Sequence, residues 1–266
     1  NTADGGANGT VDATVAAPVI ELDADTGVSA SDGVTSSGTY TVSGTEPGAV
    51  VEYSTDGVNW STTAPVAVEG ANTIQVRQTD VAGNVSAPAT LTFTLDTAVA
   101  APVIALTTDT GANTSDGITR DGSYSVTGTE PGAVVEYSTD GATWSTTAPV
   151  AVEGANTIQV RQTDVAGNVS APATLTFTLD TAVAAPVIAL TTDTGANTSD
   201  GITRDGSYTV TGTEPGALVE YSTDGTTWTT TPPTAVEGEN TIQVRQTDVA
   251  GNVSAPATLT FTLDTA

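Results

Sequence analysis

Aspartates supply most of the side-chain carboxylates of this chain, and they recur at a fixed interval. Asp25, Asp109 and Asp193 stand 84 residues apart, and each opens the sequence Asp-Thr-Gly. Carboxylate oxygens are hard ligands, and Ca²⁺ accepts about six to eight oxygens in a loose geometry. The spacing therefore predicts a Ca²⁺ site that recurs along the chain. The candidate ligands are Asp12, Asp23, Asp25, Asp32, Asp80, Asp96, Asp109, Asp116, Asp164, Asp180, Asp193, Asp200, Asp248 and Asp264.

The composition argues against most other chemistry. There are 31 acidic residues and 5 basic ones, with a formal net charge of -26 and neither cysteine nor histidine. Disulfides, thiolate nucleophiles, zinc-thiolate sites and the commonest general base are therefore absent. Nucleic acid and anionic membrane surfaces would repel such a chain, and no apolar stretch is long enough to span a bilayer. We predict no enzymatic activity, no nucleic-acid partner and no membrane insertion.

The chain is a tandem array. Residues 101–124 return unchanged at 185–208, and 60–104 return unchanged at 144–188. A period of this size corresponds to one small domain, so the sequence predicts several small cores rather than one large core. We place the repeats at 16–99, 100–183 and 184–266. Residues 1–15 align with the end of a repeat, which predicts the tail of a preceding unit in a longer array.

Within each repeat, apolar residues alternate with polar ones, and clusters of Gly, Pro, Asp, Asn and Ser separate the runs. This pattern predicts short antiparallel strands packed as a β-sandwich. The strands expected in the first repeat are Val19–Leu22, Thr39–Gly44, Val50–Ser54, Pro65–Val68, Thr73–Thr79 and Ala89–Leu95, with a further short strand possible at Trp60–Thr62.

Alternation also assigns the faces of these strands. The inward set is Tyr40, Val42, Val51, Tyr53, Ile74, Val76, Leu91, Phe93 and Leu95, and the outward set is Thr41, Glu52, Gln75, Arg77, Thr92 and Thr94. If the strands follow immunoglobulin order, Glu52 and Arg77 lie on paired strands. A cross-strand ion pair is then the expected role of this arginine and of its copies, Arg161 with Glu136 and Arg245 with Glu220.

The same strand order predicts which loops meet between repeats. The loop Asp23–Ser37 and the end of the last strand lie at one pole of the sandwich, and the loop Asp80–Asn84 lies at the other. Each repeat's first loop should therefore meet the next repeat's last loop. The first junction would gather Asp25, Asp32, Asp96, Asp164 and Asn168, with Asp23 as a further candidate; the second would gather Asp109, Asp116, Asp180, Asp248 and Asn252.

Turn formation is the alternative role of any one of these aspartates. In Asp-Gly and Asp-Thr-Gly sequences, Asp bonds the backbone two residues on and Gly supplies a positive φ, without any metal. Convergence of three segments favours a metal site, because unpaired carboxylates removed from water are costly. Asp56, Asp140 and Asp224 stand in Ser-Thr-Asp-Gly turns and are assigned to the turns alone.

Short motifs recur in one order in every repeat. Those around the second repeat are Leu95-Asp96-Thr97 through Ala101-Pro102, Asp109-Thr110-Gly111, Asp116-Gly117-Ile118-Thr119, Glu130-Pro131-Gly132, Tyr137-Ser138-Thr139-Asp140-Gly141 with Trp144, and Val160-Arg161-Gln162-Thr163-Asp164-Val165-Ala166-Gly167-Asn168. Together they resemble the bacterial immunoglobulin-like repeats of giant type I-secreted (RTX) adhesins and biofilm-associated proteins. The first repeat departs from the pattern at Ser36-Ser37, where later repeats have Arg-Asp.

The resemblance implies three tandem immunoglobulin-like β-sandwich domains in an elongated rod. It further implies an extracellular spacer at a bacterial surface that holds an adhesive tip away from the cell for adhesion or biofilm formation. Ca²⁺ would bind between domains, at the Asp residues of the linker, the Asp-Thr-Gly and Asp-Gly-Ile-Thr motifs and the Asp-Val-Ala-Gly-Asn loop. The partners would be calcium ions and neighbouring repeats of the same chain, and the fragment would be monomeric.

The sequence leaves two other binding functions open, one toward a glycan or protein and one toward ice. The repeats could themselves bind a host or matrix glycan or protein, and Trp60, near a turn, is the aromatic residue most open to a sugar. Alternating threonines in Thr90–Thr94 also suggest ice binding. Threonine is, however, a common exposed strand residue, and separate sandwiches do not supply a flat stacked array.

Overall fold

The computed structural model describes residues 12–266, and most of the expected tail, residues 1–11, lies outside the described residues. Every regular element within residues 12–266 is a β-strand. No helix in this part of the chain is long and apolar enough to cross a membrane. The all-β prediction is therefore confirmed.

Each repeat contributes six strands, and the first repeat shows the plan. β1 pairs antiparallel with β3 in a two-stranded sheet, while the other sheet has the order β2-β6-β5-β4. β2 runs parallel to β6, and the other pairings of that sheet are antiparallel. The strands are β1 (Val19–Leu22), β2 (Val34–Thr35), β3 (Tyr40–Ser43), β4 (Val50–Ser54), β5 (Gly70–Thr79) and β6 (Ala89–Leu95).

The second and third repeats have the same sheet orders, β8-β12-β11-β10 with β7-β9, and β14-β18-β17-β16 with β13-β15. Their strands are β7 (Val103–Leu106), β8 (Ile118–Thr119), β9 (Tyr124–Thr127), β10 (Val134–Ser138), β11 (Gly154–Thr163), β12 (Ala173–Leu179), β13 (Val187–Leu190), β14 (Ile202–Thr203), β15 (Tyr208–Thr211), β16 (Leu218–Ser222), β17 (Gly238–Thr247) and β18 (Ala257–Leu263).

The core of the first repeat lies between its two sheets. Ile20 of β1 packs with Ile74, Val76, Phe93 and Leu95 of the larger sheet, and all five are buried. The inward face predicted from alternation is confirmed, since the remaining predicted members are partly buried against this cluster. The third repeat repeats the arrangement with Ile188, Ile242, Val244 and Phe261.

The outward face carries the expected ion pairs. Glu52 lies opposite Arg77 in the register of β4 and β5, and Arg77 Nε lies 2.9 Å from a Glu52 carboxylate oxygen. Arg161 with Glu136 and Arg245 with Glu220 form the same contact, at 3.0 and 2.9 Å. These side chains are partly buried, and ion pairs at a protein surface each contribute only ~0.2–1 kcal/mol. They support strand pairing and do not form a separate site.

The strand predicted at Pro65–Val68 is wrong, because this segment joins no sheet. The Asn72 side chain takes the backbone groups that a strand ladder would use: it accepts from Val68 N at 2.9 Å and donates to Val68 O at 2.7 Å. Pro65 has no N–H to donate. The possible strand at Trp60–Thr62 is reduced to one bridge between Ser61 and Tyr53, and β2 was not predicted.

The folded chain groups into two compact units. The first unit consists of the chain up to Pro102 together with two later segments, Gly128–Glu136 and Arg161–Pro172. The second comprises Val103–Thr127, Tyr137–Val160 and Ala173–Ala266. The loops that join the first repeat to the second lie inside the first unit. Those that join the second repeat to the third lie inside the second unit.

Candidate metal centre

Three carboxylates meet at the start of each repeat. Asp96, Glu130 and Asp164 each place an oxygen so that the three oxygens lie within 4.8 Å of one another. At this separation two charges repel by about 1 kcal/mol in water and by several kcal/mol where water is excluded. The repulsion makes each cluster a candidate cation site. The equivalent triads are Asp12, Glu46, Asp80 and Asp180, Glu214, Asp248.

Three different segments position the members of each triad. Asp96 is the first residue after β6, and its N–H donates to Thr35 O at 2.9 Å. Glu130 opens the Glu-Pro-Gly turn between β9 and β10, and Asp164 directly follows β11. The sequence predicted that Asp96 would meet Asp164. It did not predict the third carboxylate.

Sequence reasoning missed Glu46, Glu130 and Glu214. A signal existed, since Glu-Pro-Gly recurs at the same interval as the aspartates. This turn and the loop after β11 lie at the same pole of the sandwich, so a glutamate here reaches the aspartate. Strand order places both loops at one pole, but it does not give the distance between their carboxylates.

Asp164 is held firmly by its own loop. Only 1% of its surface is exposed, and its two carboxylate oxygens accept from the backbone N–H of Asn168 at 2.8 Å and from the Asn168 side chain at 2.7 Å. In the first repeat, the corresponding hydrogen bonds from Asn84 lower the pKa of Asp80 from its ordinary value. Such bonds favour the charged carboxylate that a cation requires.

The aspartates of the first loop lie outside the triads. Asp25 Oδ2 accepts from Gly33 N at 2.9 Å, and Asp32 Oδ1 accepts from Val34 N at 3.0 Å. Asp23 instead accepts from the Thr41 hydroxyl at 2.6 Å. These contacts are the turn role that the sequence left open. The equivalent backbone contacts form at Asp109, Asp116, Asp193 and Asp200.

One oxygen in each of these loops lacks a partner. Within residues 12–266, Oδ1 of Asp25, Asp109 and Asp193 is buried and accepts no hydrogen bond. An unpaired carboxylate oxygen removed from water is costly, and a cation would satisfy it. The first loop therefore presents a second place where a cation fits.

The first loop of one repeat contacts the last loop of the next, as predicted. The Thr26 hydroxyl donates to Ala166 O at 2.7 Å, and Val28 N donates to Val165 O at 3.2 Å. A Cβ built on Gly27, whose φ is +100°, would lie 2.0 Å from Val165 O. The contact thus requires glycine.

The second junction repeats the threonine contact and adds an arginine. The Thr110 hydroxyl donates to Ala250 O at 2.7 Å, and Arg120 Nη1 donates to Gly251 O at 2.7 Å. Ser36 occupies the arginine position in the first repeat, where it hydrogen-bonds to Thr26 at 2.8 Å. The sequence departure at Ser36-Ser37 therefore does change the first junction.

The aspartates of the Ser-Thr-Asp-Gly turns and Trp60 have local roles. The backbone N–H of Asn59 and neighbouring donors hold the pKa of Asp56 well below its ordinary value, and the Asp140 and Asp224 turns behave alike. Trp60 is half-buried, and the Arg77 guanidinium lies 4.1 Å from its ring centroid. Arg77 covers one face of the aromatic ring that was open to a sugar.

The donor set of the triads fits a hard divalent cation. All candidate ligands are carboxylate, amide or backbone oxygens, which suit calcium better than softer metals. Asp164 can bind an ion while it keeps its hydrogen bonds, since each of its carboxylate oxygens accepts one hydrogen bond and retains a second lone pair. Chemically, the site can bind a cation and so connect the linker to the two loops that carry the other carboxylates.

Comparison with known proteins identifies the repeats. The profile of the bacterial Ig-like domain family matches residues 13–97, 98–181 and 182–265. No curated protein matches the chain. Among solved structures, the Clostridium thermocellum CbhA fibronectin(III)-like modules are similar at 18% identity and a TM-score of 0.33, covering 60% of this chain and 94% of that one.

A second similar structure comes from work on host cell surface retention of a 1.5-MDa bacterial ice-binding adhesin. It has 20% identity and a TM-score of 0.34, covering 94% of this chain and 98% of that one. The three profile matches together span almost all of the chain. The chain therefore belongs to the bacterial Ig-like domain family, as three tandem members.

Proposed function

We propose that this chain is a series of extracellular spacer domains from a large bacterial adhesin, with Ca²⁺ at the acidic triads stiffening the joints. The observation that carries the proposal is the triad of Asp96, Glu130 and Asp164. Its members come from the linker and from two loops of the following repeat. In that role the array would hold an adhesive tip away from the cell during surface adhesion or biofilm formation.

The position of Asp96 explains how an ion would stiffen the joint. β6 ends at Leu95, so Asp96 is the first residue beyond the sheet of the preceding repeat. A cation that holds Asp96 to Glu130 and Asp164 would attach the following repeat at the end of β6, with no free residue between that sheet and the ion. The same reasoning applies to Asp180, which follows β12 directly.

Ca²⁺, when bound, supplies the positive charge that allows three ionised carboxylates to remain close. The chain's own residues do the rest. Glu130 and Asp164 present oxygens from one repeat, and Asp96 presents an oxygen from the linker. The unpaired Oδ1 atoms of Asp25, Asp109 and Asp193 are the proposed second ligand position, with Asp32, Asp116 and Asp200 nearby in the same loops.

The test is the length of the chain with and without calcium. Three sandwich domains in a stiff row would span roughly 110 Å, from strands at ~3.3 Å per residue plus loops. We expect small-angle scattering to give about that maximum dimension in calcium and a shorter average in chelator. An unchanged scattering curve after chelation would refute the stiffening role.

A variant pair separates the triads from general charge. Asp164→Asn with Asp248→Asn should scatter in calcium as the unaltered chain does in chelator. The matched control is Glu239→Gln, which also removes a carboxylate. Glu239 is exposed and stands where the other repeats have Ala71 and Ala155, so no joint depends on it. The control should keep the full calcium response.

A further inference from the structure

One asparagine and one glutamine in each repeat hold every member of its acidic triad. In the second repeat these are Asn168, in the loop after β11, and Gln162, on β11 itself. Neither side chain carries a charge, and Asn168 is the asparagine that the sequence places at the first junction. Both bond to the triad or to the linker.

Asn168 joins two members of the triad. Its side-chain nitrogen donates to Asp164 Oδ2 at 2.7 Å and to the backbone oxygen of Asp96 at 2.8 Å. A primary amide has two N–H groups, so both are used. Asn168 thereby fixes the carboxylate of one member and the main chain of another.

Gln162 fixes the third member and the rest of the linker. Its side-chain oxygen accepts from Glu130 N at 2.8 Å, and its side-chain nitrogen donates to Ala100 O at 2.8 Å and to Gly128 O at 3.2 Å. Gln162 is fully buried. Breaking one of these bonds inside the protein would leave a buried polar group unpaired, which is costly.

The same bonds recur in the other repeats. Asn252 donates to Asp248 and to Asp180 O, both at 2.8 Å, and Gln246 contacts Glu214 and Ala184 at 2.8 Å. Asn84 and Gln78 contact Asp80, Asp12, Glu46 and Ala16 at 2.7 to 3.1 Å. The same set of amide hydrogen bonds therefore accompanies each of the three triads.

We propose that these carboxamides are the positioning residues of the triads. They hold the linker against the following repeat, and they fix the carboxylate of Asp164 and the main chain of Asp96 and Glu130. Neutral amides suit this task, because they donate hydrogen bonds without adding charge. Glutamate or aspartate at either position would lose the donors and add a fourth negative charge. The inference rests on the proposed function only in taking the triad as the ion site.

The structure predicts two separable effects of Asn168→Asp and Gln162→Glu in the full chain. In chelator, the backbone amides of Ala98, Val99, Ala100 and Ala101 should show lower NMR order parameters, since the linker is no longer held by its carbonyl oxygens. In calcium, the first junction should bind Ca²⁺ about 10–100-fold more weakly, as is typical when a residue that orients a ligand is removed. The second junction should be unchanged.

The matched control is Asn156→Asp in the same repeat. Asn156 also accepts one hydrogen bond and donates two, to the main chain of Val152 and Gly154, but it contacts no triad member. Residue-by-residue NMR in a calcium titration reads both junctions. Asn168→Ala, which removes the donors without adding charge, serves if the aspartate variant does not fold.

The outcomes separate the two proposals. If the unaltered chain binds no calcium, the proposed function fails, while the linker order parameters in chelator still test the positioning role. If the Asn168 and Gln162 variants match Asn156→Asp in both linker order parameters and calcium affinity, the positioning role is refuted. Lower linker order parameters together with weaker calcium binding, at the first junction alone, support it.

Discussion

At the scale of single residues, each junction depends on a close approach of two backbones. Gly27 and Gly111 both have a φ of +100°, and a Cβ on either would lie about 2 Å from a carbonyl oxygen of the next repeat, at 2.0 and 2.1 Å. The equivalent Gly195 of the third repeat has no such neighbour. Glycine is needed at the junction for contact as well as for φ.

Gly111→Ala should therefore open the second junction. The methyl group would overlap Val249 O, so the loop must withdraw and the Thr110 hydroxyl would lose Ala250 O. We expect the amides of the loop that contains Gly251 to exchange hydrogen faster. Gly154→Ala is the control, since Gly154 has a φ of +90° with nothing within 4 Å of the built Cβ. Equal exchange in the two variants would contradict the close-contact argument.

At the scale of elements, the segment beside β9 shows how a repeat closes without an extra strand. Pro149–Val152 joins no ladder, yet the Tyr124 hydroxyl donates to Pro149 O at 2.6 Å. A Cβ on Gly122 would lie 2.7 Å from Ala151 Cβ and 3.2 Å from a Leu179 methyl group. Side-chain packing holds this segment where backbone pairing does not.

Gly122→Ala should destabilise the second repeat by ~1–3 kcal/mol through overpacking. Its φ is not in the left-handed region, so the effect reports the contact and not backbone strain. Calorimetry of the full chain should show one transition shifted to lower temperature. Adding Ala151→Gly relieves the overlap and should restore most of the loss. A double variant as unstable as the single one would show that the segment does not pack as described.

At the scale of the whole molecule, a charge of -26 concentrates in part at the triads. Like charges within one Debye length repel, and about 0.15 M salt reduces that length to ~8 Å. Repulsion at the joints should therefore limit the stability of the metal-free chain. The stability of the calcium-loaded chain should not be limited in this way, because the ion offsets the charge of the carboxylates.

Salt should consequently stabilise the chain in chelator and have little stabilising effect in calcium. We expect the melting temperature in chelator to rise as sodium chloride increases from about 0.05 to 0.5 M. The same series in millimolar calcium is the control. Parallel salt curves in the two conditions would argue that the triads do not dominate the electrostatics of the joints.

The sequence alone determined the features that depend on neighbours along the chain. Alternation placed Ile74 and Phe93 in the core and predicted that Glu52 faces Arg77, because side chains in a strand point to opposite faces in turn. The period of the aspartates located the junctions. These features are local or repeat regularly, so a single chain reveals them.

Only the tertiary structure decided which carboxylates meet. Asp96 joins Asp164 but also Glu130, while Asp25 stays in its own loop with one buried unpaired oxygen. It also decided that Pro65–Val68 packs through side chains without pairing as a strand. Such outcomes depend on distances between segments that are far apart in sequence. Folding sets those distances through loop conformation and the competition of side-chain amides for backbone groups, and residue type alone does not encode them.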